Sequence, residues 1–576
     1  MKKLLYILLF LPIGLLAQTN YYVATTGDDA DAGTIGDPWL TWGKALNSVS
    51  AGDTVFFRGG TYYMDEAEVA PTWYRQGYYT NLSGTVGSPI CFFNYEDEVP
   101  ILDGINIIHD TITSHSRYGI TISSASSYLK FKGLVLRNIY TLAGINFVEG
   151  WNIAGDHLDF DRCITYNIHG YGFYMSTSKE LYFTNCDAYH CCDSLDDYLP
   201  GNSGAGFEII NPFDTTGTIY FNGCRAFLNG DQGFNGYSSG YIAYNNCWSF
   251  ANGQLEGEGH GFKLGWVYTV KDSIQKNVTN NISAFNRSSG YTTNDNNHAA
   301  HQMNVYNNIA YHNGYDASWG GSAYGFWIYN TSGTDVEEEK RVFKNNTSYD
   351  NEDGELFKAS TGLYTTANNS WPSTVANPDD LGLTIIDGDF ISIDSAGLSG
   401  ARGSDGSLPE LDFLKLASES QAKDAGIDVG LTYDADSVAW GDPPSIGPYE
   451  YVAQSPAVAP TVVTGQIYNI SITTAETLGN NTDDGGGTIS AKGVCWSTSE
   501  TPTTADDTTD EGSGAGSYTS SLTGLTANTT YYVRAYAINE AGTAYGDQES
   551  FKTKQFGILF GSDGKPIFSN GKIIFK

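Results

Sequence analysis

Six copies of a Gly-aromatic phrase gather residue types that can do chemistry. They read GYGFYM, GAGFEI, DQGFNG, GHGFKL, SSGYTT and AYGFWI, with the pair at Gly172-Phe173, Gly206-Phe207, Gly233-Phe234, Gly261-Phe262, Gly290-Tyr291 and Gly325-Phe326. Side chains alternate along a strand, so an inward aromatic makes the next residue point outward. Parallel strands stack about 4.8 Å apart, which lines up Tyr174, Glu208, Asn235, Lys263, Thr292 and Trp327 on one face. A carboxylate, an amide and an amine meet there on adjacent rungs. In a metal-free pocket Lys263 could form a salt bridge with Glu208. Glu208 and Asp231 would suit glycoside hydrolysis if their carboxyl groups faced each other across a bond.

A second phrase supplies the scaffold. FDRCITYN, FTNCDAYH, FNGCRAFLN, YNNCWSFAN, VTNNISAFN, VYNNIAYHN and FKNNTSYDN, aligned on Cys163, Cys186, Cys224, Cys247, Ile282, Ile309 and Thr347, are spaced by 23, 38, 23, 35, 27 and 38 residues. A base period near 23, lengthened by loop insertions, marks a solenoid whose rungs need neighbours to bury their apolar side. Each copy is short, aromatic and β-branched and ends at Asn or Gly, as a strand and turn do. The sequence therefore predicts an all-β protein built on a parallel β-helix. Four of the eight cysteines share one rung position, which predicts stacked buried thiols rather than disulfides or metal ligands.

The 576 residues exceed one ordinary core. Met1-Lys2-Lys3, an apolar run to Leu16 and Ala17 read as a secretion signal over residues 1–17, which predicts a secreted bacterial protein. No later segment is apolar enough to cross a bilayer. With 65 Asp+Glu against 30 Lys+Arg, nucleic acid is a poor partner, since phosphate neutralisation needs clustered cations. The β-helix with an N-terminal cap is expected over 18–452, with a short cap helix at 42–49. Rungs are expected to about residue 400, followed by a closing segment with one short helix. A Pro/Ala linker (453–460) leads to a β-sandwich at 461–554, whose LTGLTANTTYYVRAYAINEAGTAYG resembles the end of a fibronectin type III domain, and to a tail at 555–576. A monomer is expected.

The opening YYVATTG…AGDTVFFRGGTYY, the rung YLKFKGLVLRN and the series NCDAYHCCDS…GAGFEI…GCRAFLNGDQGFNG…NNCWSFANG…GEGHGFKLGW resemble family 9 polysaccharide lyases. The resemblance spans most of residues 20–350 and implies a right-handed parallel β-helix acting on uronate-containing polysaccharides. It implies that Lys263, inside GFKLG, is the catalytic base. It also implies a calcium site, of which Asp231 is retained. Ala205, Gln232 and Asn235 replace the other three carboxylates. Glu208, Asp231, Gln232 and Asn235 could rebuild a weak calcium site from two carboxylates and two amide oxygens.

The implied partner is an acidic polysaccharide, cut by β-elimination. Removing the C5 proton places a second negative charge on the uronate carboxylate, which a metal or cationic side chain must offset. The base must be neutral when it acts. His260 could protonate the leaving oxygen or contact sugar. Trp266, Tyr268, Tyr291 and Trp327 could stack on sugar rings, and Asp295, Asn296, Asn297 and His298 could hydrogen-bond to them. A glycan-binding protein without turnover is the alternative.

Overall fold

The computed structural model describes residues 18–64, 77–107, 117–140, 148–176, 180–193, 201–211, 216–238, 240–265, 273–294, 302–315, 323–328, 341–358, 364–374, 378–453, 457–555, 557, 562–569 and 572–573. The expected secretion signal lies outside them. The chain divides into two compact units, Met1–Tyr451 and Val452–Lys576.

Among the described residues of the first unit, three parallel sheets of twelve, ten and ten strands coil around one core. Each rung visits them in the same order, as in Ser127–Lys132, Val135–Ile139 and Val148–Ile153. The twelve-stranded sheet runs from Asn20–Val23 to Tyr364–Ala367. The second sheet runs from Gly60–Tyr63 to Thr347–Tyr349, and the third, which carries the site, from Tyr78–Thr80 to Leu356–Lys358. Trp151, Phe173, Phe207, Phe234, Phe262, Tyr291 and Phe326 form a continuous inward stack, with centroids 4.7–6.1 Å apart. Their common register forces the following residues to the outer face.

Cys163, Cys186, Cys224 and Cys247 are buried, and all eight cysteines are unpaired. The column beyond them differs from the sequence alignment by one residue. Trp248 pairs with Ile282, so Asn281, Asn308, Asn346 and Asn369 continue the thiol stack. Cys247 N donates to Asn281 Oδ1 (2.8 Å), and each asparagine amide then donates to the next at 2.9, 3.0 and 2.8 Å. Asp380 accepts from Asn369 (2.8 Å) and ends the series. A second ladder of Asn229, Asn252, Asn286, Asn313 and Asn351 (2.8–3.0 Å) runs along the turn that enters the site sheet.

The predicted cap helix is a single turn, Trp42–Ala45, started by the Thr41 side chain accepting from Lys44 N. Fully buried Trp42 packs on Phe57, 4.4 Å between centroids. The rungs end at Ala367, earlier than expected. Among the described residues that follow in this unit, the expected helix is replaced by the 3-10 turn Asp387–Asp389 and an extended strap. In the stretch where the helix is expected, Ala425 O and Ile427 O accept from Asn368 and Asn345 of the coil (3.1 and 2.7 Å) instead of from a helical turn. Arg225 Nη1 takes Leu398 O and Gly400 O (2.9 and 2.8 Å), while Arg225 and Arg402 clasp Asp187 (2.7 and 2.6 Å).

In the second unit a three-stranded and a five-stranded antiparallel sheet enclose a core that includes Val494, Trp496, Leu522 and Val533, a small β-sandwich. In the tail, Phe568–Ser569 and Lys572–Ile573 pair antiparallel.

Candidate active site

Strand register sets the outer column. Tyr174 pairs with Glu208, Glu208 with Asn235, Asn235 with Lys263, Lys263 with Thr292 and Thr292 with Trp327. The turns entering these strands add Asp231 and Gln232 on one rung and Glu258 and His260 on the next. Asn229 and Asn252 of the second ladder lock those turns: Asn229 N and Nδ2 both donate to Asn252 Oδ1, at 3.2 and 2.9 Å.

Lys263 lies outside the sheet yet is not solvated; its side chain is 11% exposed. Its Nζ donates to Glu258 Oε2 at 2.6 Å, and Gln232 Nε2 donates to the same oxygen at 3.0 Å. The Glu258 backbone N–H in turn donates to Asp231 Oδ1, 3.0 Å away. The anticipated Lys263–Glu208 ion pair is therefore not formed. Glu208 is capped by Asn235, whose amide reaches both carboxylate oxygens at 2.9 and 3.1 Å. Glu208 lies two rungs from Lys263, with Asn235 between them, whereas the turn at Glu258 folds back over the lysine's own strand.

Burial and crowding set the ionisation. Glu208 is 3% exposed, and burial with repulsion from Asp231 pushes it up to about 8. Asp231 is pushed up to about 7 by burial and by Glu258, against the pull of Lys263. Glu149, two rungs below and hydrogen-bonded by Asn152, is pushed up to about 8 by burial. Burial alone would lower Lys263, but Glu258 and Asp231 outweigh it and hold the ammonium above its ordinary value. His260 is driven down to about 4 by burial, so its ring is neutral at physiological pH. Its Nε2 is 3.9 Å from Glu258 Oε2, and Trp327 stands edge-on at 6.4 Å.

The site thus joins Glu208, Asp231, Gln232, Asn235, His260, Lys263 and Trp327. Tyr291 is corrected: strand alternation puts it inside, between Phe262 and Phe326, with its hydroxyl on Asn281 O at 2.9 Å. Trp266, Tyr268, Asp295 and His298 lie outside the described residues. Sequence reasoning missed Glu258 and Glu149. Glu258 stood inside GEGHGFKLG, three residues before the Gly261-Phe262 pair was read for chemistry; no comparable signal marked Glu149.

Among the described residues no group of three or more His, Cys, Asp or Glu is gathered closely enough to hold a metal ion. The donor chemistry fits a hard cation only through two carboxylates completed by amide oxygens. Gln232 Oε1, buried without a partner, is such an oxygen. Among the described residues no helix is long and apolar enough to cross a membrane.

Residues 21–330 match the family described as Pel9A-like, right-handed β-helix region. Pectate lyase L of Dickeya chrysanthemi is 27% identical over 454 residues, covering 76% of this chain and 92% of that protein. Pectate lyase PEL9 of Emericella nidulans is 25% identical over 449 residues, 72% of this chain and 95% of its own. A crystal structure of pectate lyase Pel9A shares the fold, with a TM-score of 0.56 at 23% identity over 76% of this chain and 98% of that one. The structure of a rhamnogalacturonan lyase superposes with a TM-score of 0.57 at 25% identity, over 69% and 97%. With the family match covering more than half of the sequence and the coil built as that family requires, the chain belongs to the Pel9A-like right-handed β-helix family.

Proposed function

We propose that this protein is a secreted polysaccharide lyase that cleaves a uronate-containing polysaccharide, pectate-like or alginate-like, by β-elimination. The carrying observation is Lys263 in the GFKLG phrase, largely buried on a strand of the site sheet and paired with Glu258. Relatives named pectate lyases and a rhamnogalacturonan lyase support the reading.

In this reading the Lys263 amine takes the C5 proton. The freed electron pair forms the C4–C5 double bond, the C4–O bond breaks, and the departing oxygen is protonated. A base must be neutral to act, yet Glu258 and Asp231 stabilise the ammonium. Glu258 therefore governs when the base is available, and its half-buried side chain would have to leave the amine as substrate enters. Neutral His260 suits a hydrogen bond to a sugar hydroxyl better than donation as an imidazolium. A calcium ion would be held by Glu208, Asp231 and the amide oxygens of Gln232 and Asn235. It would supply positive charge to the uronate carboxylate.

Incubation with pectate, alginate and other uronans, with and without calcium, tests this function. New ultraviolet absorbance from an unsaturated uronate is expected with at least one of them. Uronan binding with no such product under any metal condition would make the protein a glycan-binding β-helix instead.

A further inference from the structure

The strap is stitched to the corner between the twelve-stranded and second sheets by a row of asparagines. Asn246, Asn280, Asn345 and Asn368 all have φ between 52° and 58°, a left-handed conformation that asparagine tolerates better than most residues. Each turns its amide outward onto a strap carbonyl. The acceptors are Ala435 O (2.8 Å), Tyr433 O (3.0 Å), Ile427 O (2.7 Å) and Ala425 O (3.1 Å), in that order.

Asn307 occupies the same corner position, with φ 56°, and the strap does not reach it. Between Ile427 and Tyr433 the backbone bows away, and a cavity of about 340 Å³ opens over Asn307. Its other walls include Asp428, Thr432, Trp440, Asp442 and Pro444. Asn307 is 1% exposed, and its side-chain oxygen receives only a 3.4 Å approach from Asn345. Its amide nitrogen has no hydrogen bond among the described residues. The Trp440 indole N–H is buried without a partner.

The Asn307 amide, which lines the cavity without a partner for its N–H groups among the described residues, and the buried Trp440 N–H stand beside two carboxylates, a setting for a ligand that both accepts and donates. A buried donor left unpaired costs about 1–3 kcal/mol. Sugar hydroxyls accept from N–H groups and donate to carboxylates at once, and an indole wall suits the apolar face of a pyranose ring. With Asp428 and Asp442 in the wall and no cation beside them, a uronate would be repelled. We propose that this cavity is a binding site for a neutral sugar unit, at the corner of the rung opposite the sheet that carries Lys263. It would hold a neutral residue or side branch of a polysaccharide while other parts of the chain engage the coil elsewhere.

Calorimetric titration of the full chain with neutral galacto-, arabino- and xylo-oligosaccharides of two to four units tests the site. At least one should bind, Lys263→Ala should bind it equally well, and Trp440→Ala should weaken it at least tenfold. If Trp440→Ala lowers the melting temperature, Asn307→Ala and Asp442→Asn decide, because neither removes a strap tie; each should weaken binding. Failure of all these sugars to bind the wild type, or undiminished binding by the variants, would leave a water-filled void and overturn the proposal. The outcome is independent of whether the protein eliminates uronans.

Discussion

The asparagine ladders and the column around Lys263 both bury polar side chains along the coil axis, yet they are matched differently. In the ladder from Asn281 to Asn369 each amide donates to the next side-chain oxygen and to a backbone carbonyl, and the last finds Asp380. Nothing there is charged until the end. Around Lys263, by contrast, Glu208, Asp231 and Glu258 crowd one ammonium, and two of those carboxyls are pushed to about 8 and 7. Burial of polar groups is thus common to scaffold and site, while the ladder from Asn281 to Asn369 stays neutral to its last member and the column around Lys263 gathers charge. A buried charge cluster costs stability that a neutral, fully paired ladder does not.

The largest expected effect comes from removing the amine. Lys263→Ala should cut elimination by about 10²–10⁴-fold, the usual cost of losing a general base, measured as the initial rate on a cleaved uronan. Lys263→Arg should not restore it, since guanidinium stays protonated. Because Lys263 is packed under the Glu258 turn, Lys263→Ala should also change the melting temperature, unlike a solvated surface lysine.

Breaking the matched stack should act on stability only. Asn281→Ala strands the Cys247 N–H, and a lost partner costs about 1–3 kcal/mol per buried group. Denaturant unfolding should show that loss equally at pH 5 and pH 8.

The unmatched column, unlike the ladder, should respond to pH. Glu149, Glu208 and Asp231 have folded values raised above their unfolded ones. The folded state therefore holds protons that the unfolded chain gives up near pH 4. Their contribution is full below about pH 4 and is lost as pH rises through about 7 to 8. The melting temperature should fall over that window, and Glu149→Gln should flatten the fall. The smallest effect concerns calcium. A two-carboxylate site binds weakly, so calcium should raise the melting temperature modestly at millimolar concentration, and Glu208→Ala or Asp231→Ala should each reduce the rise.

Strand alternation explains which features were legible in the sequence. The Gly-aromatic phrase has an unambiguous register, so the coil and the column from Tyr174 to Trp327 could be read directly. The same rule, applied to Tyr291, places it inside. Turns obey no such rule. Glu258 meets Lys263 only because five residues fold back on themselves, and Glu208 turns to Asn235 rather than to the lysine. The thiol column was misaligned past Cys247 because its next member, Asn281, has a different chemistry in the same position. The strap depends on partners far apart in sequence, such as Asp187 with Arg402, and no periodicity marks such ties.

The most direct test of Lys263 as the base is the pH dependence of unsaturated-uronate absorbance for wild type and Glu258→Gln on the same uronan. The wild-type rate should rise with pH above neutrality as the ammonium held by Glu258 and Asp231 gives up its proton. Removing the Glu258 charge should move that rise to lower pH. A rise at the same pH in both proteins, or cleavage that yields reducing ends without the absorbance, would contradict the account.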